Sequence, residues 1–184
     1  MKTHALTAVT ALFAVAACNR SEPATDENQV EASNDVGNTA AETATQTGEV
    51  DSAFVGDAIK GDNGEVAIGK LAEAQGESQA VKDFGRLLVT DHSAHKQQLA
   101  ALAQTAGIAV SDEPTDEAKA NLEKLKAMHG AGFDRQFKKM MVEDHTKDIA
   151  KYEKQASSAS AQSAALAQKT LPTLRKHLDA ANAL

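Results

Sequence analysis

Six side chains in this sequence could act together chemically: Glu65, His92, His95, His145, Asp148 and His177. Neutral imidazoles and carboxylates are ligands for zinc, copper, iron or manganese, and none of these metals requires a thiolate. Residues three or four apart on a helix share a face, so His92 pairs with His95, and His145 with Asp148. The expected centre uses Glu65, His92, His145 and His177, with His95 and Asp148 as auxiliary ligands. Other chemistries lack their signatures, because the sequence has no Gly-rich phosphate loop, nucleophile elbow or Cys-x-x-Cys-His heme attachment. Ser93 faces away from its neighbour His92 and makes a poor nucleophile pair. A hydrolase is not expected, and no catalytic residue is assigned.

Positioning such a centre requires facing helices, and the composition supplies them. The 184 residues are 42% hydrophobic but only 3% aromatic, with three prolines and no tryptophan, in a chain rich in Ala, Lys, Glu, Gln and Leu. This favours one all-α domain packed by aliphatic side chains. Phe54, Ala58, Gly61, Glu65, Ile68 and Ala72 alternate by four and three, which gives a first helix over 51–75. Its several glycines mean that close packing, rather than propensity, holds it. A second helix, from about Ser78 to Ala106, carries Val81, Phe84, Leu88, His92, His95, Leu99 and Leu102 on one face. A short helix from Thr115 to His129 follows, with His129 suited to the dipole of its last turn and not read as a ligand. Helices from Phe133 to Ser157 and from Ala161 to Ala183 complete the set, the last bent near Lys169 by Pro172.

An internal repeat joins two of these helices. At an offset of 53, Phe84-x-x-Leu87-Leu88-Val89-x-Asp91-His92 aligns with Phe137-x-x-Met140-Met141-Val142-x-Asp144-His145. Asp91 and Asp144 point about 100° away from their neighbouring histidines. They are expected to orient a histidine of another helix or to cap a loop.

The N-terminus reads as an export and anchoring signal. Lys2 precedes an apolar run from Ala5 to Ala17, too short to span a bilayer and matching a secretory signal peptide over residues 1–17. Val15-Ala16-Ala17-Cys18 resembles a lipobox, so Cys18, the single cysteine, is expected to carry lipid and hold the chain to a membrane. Asn19 favours the outer membrane over inner-membrane retention, with the domain on the periplasmic side of the envelope. Residues 18–50 form an acidic tether without Leu, Ile, Phe, Met or Tyr, expected to stay disordered. The net charge of −7 lies mostly in this tether, where one arginine meets seven acidic residues. Nothing recommends nucleic acid as a partner.

Glu65, Val81-Lys82-Asp83-Phe84, Val89-Thr90-Asp91-His92, Phe133-Asp134, Met141-Val142-Glu143-Asp144-His145 and Leu171-Pro172-x-Leu174-x-x-His177-Leu178 together resemble the domain of unknown function 4142 family. The resemblance covers residues 51–182 and implies a ferritin-like four-helix up-and-down bundle, with the short extra helix in its central crossover, in an exported bacterial protein. No histidine has a glutamate three residues before it, unlike the Glu-x-x-His di-metal sites of ferritin-like enzymes. The expected metal site is therefore histidine-rich and mononuclear. The alternative is a non-catalytic envelope interaction or stress-protection module whose histidines are purely structural.

Overall fold

A computed structural model describes residues 49–184, and every regular element among them is helical. The expected signal peptide, Cys18 and the tether as far as residue 48 lie outside the described residues. Five helices follow in order: α1 (Ser52–Gln75), α2 (Gln79–Ala106), α3 (Asp116–Lys126), α4 (Gly130–Ala156) and α5 (Ala161–Ala183). Three begin at side-chain caps: Asp51 accepts from the Phe54 N–H at 2.9 Å, Ser78 from Val81 at 3.2 Å and Thr115 from Ala118 at 3.1 Å. Gly107, with φ of 66°, closes α2 in the left-handed conformation. None of these helices is long and apolar enough to cross a membrane.

The boundary between α3 and α4 differs from the expected one. α3 stops at Lys126, and α4 already begins at Gly130, where φ is 59°. His129 is thus the N-cap of α4, without a capping side-chain bond, and not part of the last turn of α3. The Gln75 amide donates to the Leu125 and Met128 carbonyls and so ties the end of α3 to α1.

The residue pairs in contact fix the helix directions. Asp62 on α1 meets His92 and His95 on α2 while Gly69 meets Gly85, and His145 on α4 meets His177 on α5 while Lys138 reaches Asn182, so each of these pairs is antiparallel. Phe84 stacks edge-on against Phe137 at 5.9 Å and His92 against His145 at 5.8 Å, which makes α2 and α4 parallel. Both contacts keep the offset of 53 seen in the repeat, whose equivalent positions therefore face one another. The directions run up, down, down, up. A strict up-and-down alternation is broken because the segment carrying α3 brings the chain back along the length of α2.

The buried residues form three layers. Ile68, Val81, Phe84, Leu88, Phe133, Phe137 and Met141 belong to one apolar cluster, and Phe54, Val55, Ile59, Leu99, Tyr152, Leu171 and Leu174 to another. Along each long helix the buried side chains pass from one cluster to the other through a polar turn: Asp62 and Glu65 on α1, His92 and His95 on α2, His145 on α4, and His177 on α5. Val50, just ahead of α1, packs against the second cluster.

Small residues set the spacing of α1 and α2. A Cβ on Gly85 would lie 2.6 Å from the Gly69 carbonyl oxygen and 2.9 Å from the Glu73 nitrogen, both backbone atoms. Overpacking costs about 1 to 3 kcal/mol, so Gly85→Ala should lower stability by about 2 kcal/mol, measured by urea denaturation. An unchanged midpoint would mean that the helices can separate freely there.

Asp134 on α4 ties down the start of α2 by accepting from the Glu77 and Ser78 N–H groups, each at 2.9 Å. Slight burial pushes its carboxyl up, but these donors and Lys82 outweigh it and hold the pKa below the usual value. A depressed folded-state pKa means stability that is present above the unfolded pKa and lost as pH falls through the folded one. Asp134→Asn should therefore cost about 1 kcal/mol at neutral pH. The gap from wild type should close in acid, and a gap independent of pH would contradict the charge-assisted bonds.

Candidate metal centre

The polar layer is expensive to bury, and its geometry shows what it is arranged around. His145 and His177 have no solvent exposure, while Asp62, Glu65, His92 and His95 retain 3%, 6%, 5% and 8%. A ring nitrogen from each of His92, His145 and His177 falls within 4.8 Å of the others. These three come from α2, α4 and α5, on turns where the sequence places a histidine in line with core positions.

Hydrogen bonds assign the tautomers of this cluster. The His145 Nδ1–H donates to the Met141 carbonyl at 2.9 Å, which leaves Nε2 bare. The His177 Nε2–H donates to Asp91 Oδ2 at 2.9 Å, which leaves Nδ1 bare. These two bare nitrogens stand 3.2 Å apart. Burial, reinforced by His92 and His177, pushes the His145 pKa down to about 3. Burial also lowers that of His177, against the pull of Asp91. Both shifts favour the neutral rings, and in that state two lone pairs oppose each other. Reversing the His177 tautomer would only move the clash, by turning a bare nitrogen toward the Asp91 carboxylate.

His92 is held by Asp62, a residue the sequence analysis did not select. Asp62 Oδ1 lies 2.8 Å from His92 Nδ1, and its Oδ2 lies 2.9 Å from His95 Nδ1. Both rings donate Nδ1–H to this one carboxylate, and each Nε2 is buried without a partner. Burial pushes Asp62 up, yet the two histidine donors outweigh it and keep its pKa below the usual carboxylate value. Burial lowers His92 as well, but the Asp62 hydrogen bond and the nearby carboxylates outweigh it and raise its pKa.

Beside the three histidines lies a cavity of about 220 Å³, lined among others by Glu65, His92, His95, Asp144, Asp148 and His177. Burial, opposed by His92 but reinforced by Asp148, Asp144 and Asp62, raises Glu65 to about 8. Its Oε2 is buried and unpartnered. Burial likewise raises Asp148, and burial together with Glu117 raises Asp144 to about 6.

Of the six expected ligands, the structure brings His92, His145 and His177 into one cluster. Glu65, His95 and Asp148 line the adjoining cavity instead. Asp91 does what its position suggested and orients a histidine of another helix. Its repeat partner Asp144 has no histidine bond among the described residues and faces the cavity. Asp62 is buried on α1 with Val55, Ile59 and Gly69, outside the single stripe that the sequence reading followed.

The family described as domain of unknown function DUF4142 matches residues 36–184, the whole helical region and part of the preceding tether, and the chain belongs to it. No curated protein and no solved structure gives a significant match.

Proposed function

We propose that this DUF4142 domain binds one divalent transition metal through His92, His145 and His177, in a bundle of ferritin-like arrangement held on the periplasmic side of the envelope. The single long connection between the parallel helices α2 and α4 supports that arrangement. The anchoring half of the reading rests on the lone Cys18 after its small-residue stretch.

The observation that carries metal binding is the convergence of three buried ring nitrogens, within which His145 Nε2 and His177 Nδ1 face each other at 3.2 Å. In tetrahedral zinc sites with bonds near 2.0 to 2.1 Å, ligand nitrogens sit about 3.3 Å apart. A cation between the rings turns opposed lone pairs into two bonds. The third nitrogen, on His92, is already oriented by a carboxylate, as metal-bound histidines usually are. Three nitrogens suit zinc or copper, with Glu65 or water at the remaining position.

The test is elemental analysis of the full chain, without a histidine tag, after incubation with zinc, copper, iron or manganese and removal of excess ion. About one tightly held equivalent of zinc or copper per chain is expected. A protein that holds none of the four would overturn the proposal and leave an envelope interaction module with structural histidines.

A further inference from the structure

Three protein ligands leave a tetrahedral metal one position short. The nitrogens of His92, His145 and His177 converge, and no carboxylate or thiol joins them within the same 4.8 Å among the described residues. Structural zinc sites are closed by four protein ligands, whereas sites that handle small molecules keep three and leave the fourth position to water or a substrate.

The space beside the cluster suits the open kind. His92 and His177 both line the cavity of about 220 Å³. His92 Nε2, the nitrogen left free by the bond to Asp62, is buried without a partner. The same cavity is bounded by Asp57, Glu117 and Lys147, whose side chains are more than half exposed, so it runs from the histidines to the surface. A water molecule takes about 30 Å³ of liquid, which leaves room here for a ligand of several heavy atoms. The wall carries Asp91, Glu117, Asp144 and Asp148 against Lys147 and Lys151, and both lysines already have carboxylate partners. A cleft lined mainly by one sign of charge disfavours small ions of that sign.

We propose that the three-histidine metal is coordinatively open toward this cavity and takes a small uncharged nitrogen or oxygen donor from solution as its fourth ligand. The inference rests on the metal reading above and assigns its remaining position to a ligand from outside the chain. Gly61 on α1 offers the means of blocking that position. It lines the cavity, and a Cβ there would meet nothing within 4 Å, so a larger side chain grows into open space.

The test uses cobalt as a coloured substitute for zinc in the full chain, with imidazole and azide as probes. Wild type should bind one equivalent of cobalt. Its visible absorption should change in a saturable titration with imidazole while the cobalt stays with the protein, and azide should bind more weakly. Gly61→Leu should hold cobalt as wild type does and bind imidazole more than about tenfold more weakly, the size of effect that overpacking produces. Gly61→Ala should match wild type. A cobalt spectrum that neither probe alters would show that a side chain closes the site, overturning the open position and leaving the metal reading intact. Azide binding more tightly than imidazole would overturn the uncharged ligand, and equal imidazole binding by wild type and Gly61→Leu would overturn the cavity as its seat. A chain that takes up no cobalt, zinc or copper would overturn the metal reading and this inference with it.

Discussion

His145→Ala is expected to lower zinc affinity by about 100- to 1,000-fold without loss of helical content. Structural zinc sites bind with about 10 to 16 kcal/mol, so each of four ligands carries on the order of 3 kcal/mol, and every 1.4 kcal/mol is about tenfold. Of the three proposed ligands, His145 has least to do otherwise. Its only hydrogen bond goes to the Met141 carbonyl of its own helix, and its other nitrogen opposes that of His177. Affinity is read by competition with a chromophoric chelator. The companion variant His145→Leu separates binding from folding: it removes the opposed lone pairs and fills the space, so the metal-free protein should melt no lower than wild type. A stability optimum given up for a function is the signature expected of a site. Retained zinc affinity in His145→Ala would rule out the cluster, and a large fall in melting temperature for His145→Leu would favour structural histidines.

Asp62→Ala should have the largest effect on the fold itself. Asp62 is the common acceptor for His92 and His95 in a layer with almost no solvent, and breaking a buried pair by removing one partner costs about 3 to 5 kcal/mol. The loss appears as a lower urea midpoint. Metal affinity should also fall, by about 10- to 100-fold, because His92 is then free to turn the wrong nitrogen toward the cluster. Asp62→Asn should lie between wild type and alanine, since its oxygen can accept from one histidine while its amide confronts the other. Equal stability of Asp62→Ala and wild type would show that the two imidazoles find other acceptors.

The long helices could be read from the sequence because their apolar residues recur at helical spacing and Ser78, Thr115 and Gly107 mark ends that the structure keeps. The three histidines could be read for the same reason: each interrupts an apolar stripe and so had to point inward. Asp62 could not be read this way. α1 packs against both α2 and α3, and its buried set includes Val55, Ile59, Asp62 and Gly69 as well as the stripe through Phe54, Ala58, Glu65 and Ile68. A search for one face finds one stripe and passes over the other. The division of the ligands into a cluster and a cavity was also hidden, because it depends on the relative depth of turns on different helices. His92 and His145 lie level, while His95 lies a turn further along, beside Tyr152 at 5.7 Å.

The helix in the crossover has a consequence for time rather than affinity. α3 forms part of the cavity wall through Thr115, Glu117, Ala118 and Asn121, yet among its own residues only Leu125 is buried. Its Ala118 rests where α1 has only a glycine, Gly64, and its other ties are the Gln75 bond to the Leu125 carbonyl, the partly buried Leu122 and surface ion pairs such as Glu117 with Lys147. Such an element detaches at far lower free energy than the whole bundle unfolds. For the metal proposed above, residence time would then be decoupled from global stability: the four long helices would set how tightly it is held at equilibrium, and the detachment of α3 how often it can leave.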